Sequence, residues 1–343
     1  MAATPYAATN TRPQWGGTNA DLDIHIEAYE GDIDGSFRVE SMFRASSLTN
    51  FKSVADRSNT WRGDRIGGAT VKGRKSGDGL DSSRIVSEKF LISVDTTSYI
   101  RTPVDYQDDW TAPDFQAEYS QEHGSSHAKS FDQAHVIQLI KCGTWVAPAA
   151  LKASGAFFDG LSYTMTGYSS PVATALETAA EVKANYIVNA HKTALAEFVK
   201  RDLGGSLAEF VTLMTPDAFN VLLDHKKLMN VDFAGSESAN SGNNYVMRRV
   251  AWLNGVRVIE TPRFPTGAIA NHILGPAFNV SAAEAKAVAV LFHPRKTLVT
   301  IEAKPMTVRV WDDELNFNNV LDSYTMYTVG IKRGDAVAVI NSD

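Results

Sequence analysis

The sequence predicts an α+β fold, on three observations. Arg57–Asp95, rich in glycine, reads as one long β-hairpin. A capped helical pattern of about 30 residues follows it, long enough for a rod of ~45 Å. After a second long helix, strand runs return and close the chain.

The hairpin comes first in the argument. Its first limb climbs to a tip at Gly77-Asp78-Gly79, and its second returns through Arg84–Asp95. Val86, Phe90, Ile92 and Val94 share one face of the return limb, interrupted by Glu88, while Ser87, Lys89, Ser93 and Asp95 share the other. That is the period-two alternation of a strand with one covered face. Limbs of this length would span roughly 40–50 Å. Two-stranded ribbons are marginal alone in water, so the arm is expected to need another chain to lie on.

Charge is segregated on either side of it. Asp21, Asp23, Glu27, Glu30, Asp32, Asp34 and Glu40 face only Arg38, whereas Arg57, Arg62, Arg65, Lys72, Arg74 and Lys75 face only Asp64. The whole chain of 343 residues has a net charge of −6. That balance argues against a protein whose main task is coating nucleic acid. The length suggests about two domains. The single cysteine, Cys142, permits no intrachain disulfide and suits a reducing cytoplasm. The opening MAATPYAATNTRPQWGG does not read as a secretory signal, and no apolar run approaches the ~20 residues of a membrane helix.

Thr111-Ala-Pro-Asp114 opens the spine helix, expected over 112–141, by capping a free N–H and placing proline in the first turn. Gly143 is the expected C-cap. The first half is polar and the apolar residues gather from Phe131 to Ile140, a pattern expected of a helix that crosses something. Gly124-Ser125-Ser126 is where a bend is cheapest, which makes Gly124 the expected hinge. A second helix is expected from Pro171 to about Leu203, with Leu176, Ala179, Val182, Tyr186, Ala190, Thr193 and Phe198 on one stripe. Phe210–Met214 reads as a buried strand, and Thr215-Pro216-Asp217 caps a short helix. Asn254-Gly255 is the strongest hairpin signal. Ala287–Phe292, Leu298–Ile301 and Thr307–Trp311 read as strands. Tyr324–Ile331 and Ala336–Ile340 read as a terminal hairpin turned at Lys332–Asp335.

No catalytic constellation emerges. Gly68–Ser76 nearly spells a phosphate-binding loop, but Arg74 separates Gly73 from Lys75 and no helical pattern follows. His123 and His127 stand four apart, yet Gly124 occupies the place of the zinc-protease glutamate, so a solvated helix face is the expectation. Cys142 reads as a packing residue at a helix end, and Arg62-Gly63-Asp64 as a chance tripeptide. No metal, cofactor or catalytic residue is assigned.

The order of elements resembles the major capsid proteins of short-tailed, podovirus-type bacteriophages, which have the Hong Kong 97-like fold. The resemblance is carried by YEGDIDGSFRVESMF at 29–43, VSEKFLISVD at 86–95, EYSQE at 118–122, NGVRVIETP at 254–262, LFHP at 291–294 and the terminal strands. It implies an N-terminal arm (1–50), an extended hairpin (51–100), a peripheral domain (101–170 and 291–343) and an axial domain (171–290). It also implies pentamers and hexamers closing an icosahedral shell, assembled in the bacterial cytoplasm with a scaffolding protein. A portal protein, a decoration protein and packaged double-stranded DNA, held without sequence specificity, would be the further partners. Intersubunit contact is expected between the basic limb and Asp21, Asp23, Glu27 or Asp105, Asp108 and Asp109 of a neighbour. A nanocompartment shell of the same fold and a phosphate- or nucleotide-binding α/β enzyme are the alternatives.

Overall fold

The computed structural model describes residues 41–54, 58–80, 82–107, 116–203, 207–229, 243, 248, 250 and 252–343. In chain order its elements are α1 (Met42–Ala45), β1 (Asn50–Ser53), β2 (Thr60–Ile66), β3 (Ser87–Ser93), β4 (Thr97–Asp105) and α2 (Gln116–Lys141). There follow α3 (Ala149–Ala153), β5 (Leu161–Met165), α4 (Ala179–Lys200), β6 (Val211–Met214), α5 (Pro216–Leu223) and α6 (Lys226–Met229). The last are β7 (Trp252–Leu253), β8 (Val256–Glu260), β9 (Ala287–Phe292), α7 (Pro294–Thr297), β10 (Leu298–Asp313), β11 (Asn318–Ile331) and β12 (Val337–Ser342). The chain divides into two compact units, with cuts inside α2 after Lys129, inside β10 after Pro305 and inside β11 after Thr325.

The larger unit is built on a mixed six-stranded sheet ordered β5-β12-β9-β6-β8-β7. Alternation along its strands sends side chains to the sheet's two faces. Val337 and Val339 of β12, Val290 and Phe292 of β9, and Val211 and Leu213 of β6 meet Phe131, Ile137, Leu139 and Ile140 of α2 on one face. Ile340, Ala289 and Met214 meet Ile187, Val188 of α4 and Phe219, Leu222 of α5 on the other. Central β9 is therefore buried at all six positions, as a strand covered on both faces should be. The apolar half of α2 is thus a layer over this sheet. Each fully buried Leu, Ile or Phe there contributes about 1.5–3 kcal/mol.

Local chemistry explains the ends of several elements. Thr215 caps α5, with Pro216 in the first turn, as expected. Asn254 and Gly255 both take positive φ, 52° and 82°, between β7 and β8, the geometry a two-residue hairpin requires. Helix α4 begins at Ala179, eight residues later than expected, because Thr178 and Glu181 form a reciprocal capping box. Its buried stripe is Ala184, Ile187, Val188, His191, Ala194, Leu195 and Phe198. Leu176, expected on it, is exposed. The expected cap at 111–114 lies outside the described residues. Gly143 is not a left-handed cap. The chain tightens into a 3-10 turn at Cys142–Thr144, and a methyl on Gly143 would lie 2.9 Å from Val339.

Two strand expectations are corrected. Pro305 does not break the strand, and β10 runs unbroken for 16 residues. The terminal strands are not a hairpin. β11 belongs to the sheet ordered β1-β10-β11-β4, whereas β12 lies between β5 and β9 in the six-stranded sheet. The Lys332–Asp335 turn hands the chain from one sheet to another.

The smaller unit contains, among the described residues, β4 from Ser98, the first half of α2 to Lys129, and residues 306–325. Its polar helix half does not present His123 and His127 on the solvated face expected for them. His123, Ser125 and His127 are buried. Ser323 Oγ lies 3.0 Å from His123 Nδ1 and 3.0 Å from His127 Nε2. Thr102 Oγ1 sits 2.9 Å from His123 Nε2. Burial lowers the pKa of both imidazoles, which favours the neutral forms this network accommodates.

Candidate assembly surface

Regular pairing in the hairpin covers only its root. β2 and β3 pair antiparallel from Thr60↔Ser93 to Ile66↔Ser87. Gly63 stands opposite Phe90 in that register. Trp61 meets Phe90 edge-on at 5.7 Å, and a methyl on Gly63 would lie 2.6 Å from the Trp61 ring and 2.7 Å from Phe90. The glycine of Arg62-Gly63-Asp64 therefore makes room for two aromatic rings.

The root is fixed to its own chain. Arg65 Nε donates to Lys332 O at 2.8 Å, and Arg65 Nη2 to Ile331 O at 2.9 Å. The guanidinium also lies 4.2 Å from the Phe90 ring and 5.5 Å from Trp145. Gly67 N donates to Val86 O at 2.7 Å. Gly68 N donates to Ser154 Oγ at 3.3 Å, and that hydroxyl donates to Leu151 O at 2.6 Å. Val86 packs on Ala147, Leu151 and Phe157. Beside them the fully buried Asp335 accepts from Arg333 Nε at 2.8 Å and from Phe158 N at 3.2 Å. The expectation that the hairpin cannot bury itself is thus corrected for the root, where Val94 and Ile92 join a core with Val299 and Ile301.

Beyond Gly68 the arm is exposed. Gly77 takes φ 97° at a turn closed by Asp78 N donating to Lys75 O at 3.2 Å. Val71 is 97% exposed and Leu80 85%. Arg62, Lys72, Arg74 and Lys75 are all on the surface. Arg74 Nε reaches Asp78 O at 2.6 Å and Lys72 Nζ reaches Ser82 O at 3.4 Å, which stiffens the tip without neutralising it. Of the residues expected at intersubunit contacts, Arg57, Asp21, Asp23, Glu27, Asp108 and Asp109 lie outside the described residues. Asp105 ends β4 and accepts from Gln107 N at 2.8 Å. Gly124 is helical within α2, with open space where a methyl would go.

Sequence reasoning missed the mooring at Trp145, Ser154 and Ile331–Lys332. These contacts span up to 267 positions along the chain, and no local pattern announces them. The enzyme reading finds no footing. Gly68–Ser76 enters no helix, so no helix N-terminus faces a phosphate there. Burial pushes the Cys142 thiol far above its ordinary pKa, which leaves it a packing residue. Among the described residues no three His, Cys, Asp or Glu side chains gather as metal ligands, and no helix is long and apolar enough to cross a membrane.

No protein-family model matches the chain, and no curated protein does. Among solved structures, it is 45% identical over 99% of both chains to the asymmetric unit of the bacteriophage PhiM1 mature capsid, with a TM-score of 0.77. The capsid structure of the cyanophage P-SCSP1u is 14% identical, with a TM-score of 0.73 over 100% of this chain and 99% of that one. A structure of Mycobacterium phage Che8 is 16% identical, with a TM-score of 0.55 over 98% of both. The last two likenesses carry the fold, and the first carries sequence as well. A chain whose exposed arm is rooted in its own core, and which matches a phage capsid chain end to end, belongs to the bacteriophage major capsid proteins of Hong Kong 97-like fold, whose copies form the icosahedral shell of the virion.

Proposed function

We propose that the copies associate as pentamers and hexamers through the basic arm of the hairpin. Residues 1–50 act as the N-terminal arm, 51–100 as the extended hairpin, 101–170 with 291–343 as the peripheral domain, and 171–290 as the axial domain. The observation that carries this reading is the contrast within the hairpin, with an internally fixed root and an exposed, basic, partly apolar end. Such an end gains most by lying on another subunit. Arg57, Arg62, Lys72, Arg74 and Lys75 meet acidic surface of a neighbour, either Asp21, Asp23 and Glu27 or Asp105, Asp108 and Asp109. Arg65, engaged within its own chain, supports the arm from behind. Each exposed pair contributes only about 0–1 kcal/mol, so stability comes from many contacts acting together.

A scaffolding protein, a portal protein, a decoration protein and double-stranded DNA bound without sequence specificity complete the assembly in the host cytoplasm. Electron microscopy of the expressed chain, alone and with a scaffold partner, tests this reading. Shells with pentameric and hexameric units are expected, and a small soluble oligomer under every condition would refute it. Arg62→Glu, Lys72→Glu and Arg74→Glu together should block assembly in a salt-sensitive way and leave the monomer folded.

A further inference from the structure

At the foot of the hairpin, inside the larger unit, lies a hollow of about 290 Å³. Arg65, Arg295, Lys296, Lys332 and Arg333 line it, with Asp64 as its one acidic wall. Three stretches of chain bring these cations together: β2, α7 and the turn between β11 and β12. Two of them are fixed. Arg65 is held by Ile331 O and Lys332 O. Arg333 donates to Asp335 and to Ala156 O, with its guanidinium 4.5 Å from the Phe157 ring. These bonds occupy Nε and Nη2 of each guanidinium and leave both Nη1 groups unbonded among the described residues. Lys296 Nζ donates to Leu203 O, a neutral carbonyl, at 3.1 Å. The side chains of Arg295 and Lys332 have no partner among the described residues, and Asp64 forms no ion pair there.

Charge in the hollow is under-compensated. Asp335 balances Arg333. Glu88, opposite Arg65 in the β2–β3 register, attracts it, but burial outweighs that attraction and lowers the Arg65 pKa. Arg295, Lys296 and Lys332 then face Asp64 alone, three cations against one carboxylate. The excess of two positive charges, in a chain of net charge −6, makes a local field that favours an anion and is matched by a dianion. Size narrows the choice. A hollow of 290 Å³ has room for about ten waters at ~30 Å³ each, enough for a tetrahedral oxyanion with part of its hydration shell. A DNA duplex, whose major groove alone is about 12 Å wide, would touch only the rim. Guanidinium groups suit phosphate oxygens through paired, charge-assisted N–H donors.

We propose that this hollow binds a phosphate-class oxyanion, held by Arg295, Lys296 and Lys332 against the fixed guanidiniums of Arg65 and Arg333. The anion ties β2 to α7 and to the β11–β12 turn, so the hairpin root is braced by a ligand as well as by Arg65. A single subunit supplies every contact, and the site does not depend on how copies assemble.

The test titrates the unassembled full-length protein with inorganic phosphate at constant ionic strength, following binding by calorimetry and its effect by hydrogen exchange. One saturable site is expected. With phosphate at ten times its Kd, opening of Thr60–Ile66 should fall roughly tenfold. Arg295→Gln with Lys332→Gln should weaken binding roughly tenfold or more, the effect of a ~1.4 kcal/mol loss, and remove the added protection. Lys75→Gln, on the exposed tip, should change neither. If the glutamine pair disturbs the fold, Arg295→Lys with Lys332→Arg decides, because it keeps both charges and should keep the binding. Loss of binding in a folded charge-keeping pair would overturn the proposal. So would binding that never saturates, binding untouched by the glutamine pair, or an equal loss with Lys75→Gln. A duplex oligonucleotide is run in parallel to separate a free oxyanion from a nucleic-acid backbone. Protection of Thr60–Ile66 by the duplex, with none from inorganic phosphate, would overturn the small-anion site.

Discussion

Replacing Arg65 with alanine isolates the mooring of the hairpin from its contacts with neighbours. The guanidinium donates to two carbonyls, Ile331 O and Lys332 O, and covers the Phe90 ring at 4.2 Å. A charged donor contributes about 1.5–3 kcal/mol per bond when buried. Arg65 is half-buried and the carbonyls can be rehydrated, so about 1 kcal/mol for each bond is the better figure. The cation over the ring adds about 1 kcal/mol. The root should therefore loosen by about 3 kcal/mol, near a hundredfold in local opening. Hydrogen exchange on the unassembled protein reads this directly. Amides of Thr60–Ile66 and Ser87–Ser93 should lose protection, while those of β9 and β12 keep theirs. Arg65→Lys should recover little, because an ammonium cannot donate to both carbonyls while lying flat on the ring. Unchanged protection in the alanine variant would refute the mooring, and equal loss across β9 would show that Arg65 serves the whole unit.

Other outcomes follow from particular residues. Burial holds His135 and His191 at pKa values of about 4 in the fold, against about 6.5 when unfolded. Between those values the unfolded chain binds the extra protons. Stability is thus full above pH 6.5 and falls as pH drops towards 4, by roughly 3 kcal/mol per histidine at most. Urea midpoints that match at pH 7 and 4.5 would contradict it. Gly63→Ala should cost about 1–3 kcal/mol through the clash with Trp61 and Phe90, visible as a changed Trp61 fluorescence and a lower melting temperature. Gly124→Ala meets open space and should stabilise α2 by up to about 1 kcal/mol. It should also slow any expansion of the shell in light scattering if Gly124 is the hinge, and an unchanged rate would remove that role.

What was legible in the sequence was local. The alternation at Val86–Val94, the cap at Thr215 and the Asn254-Gly255 turn each state their structure within a few residues. The capping box of α4 is equally local, at Thr178 and Glu181, but Pro171 upstream offers a competing start signal. The polar half of α2 misled for another reason. His123 and His127 are buried by pairing with Ser323, 200 and 196 positions away, and polarity alone cannot separate that from solvation. The Lys332–Asp335 turn has the length of a hairpin, but which sheet receives β12 depends on β5 and β9 elsewhere in the chain. Of the assembly surface, the exposed basic limb was legible and its root was not.

The place where Arg65 grips the chain has a mechanical consequence. Ile331 and Lys332 lie just before β12, which is bonded on one side to β5 in parallel and on the other to β9 in antiparallel. A tug on the arm enters the chain at Ile331 and Lys332, between the end of β11 and the start of β12, and any component directed along β12 loads that strand from its end. Load applied that way shears two ladders at once, so many hydrogen bonds must yield together, whereas a pull across a strand unzips them singly. The arm is therefore tied beside a strand that is hydrogen-bonded on both sides.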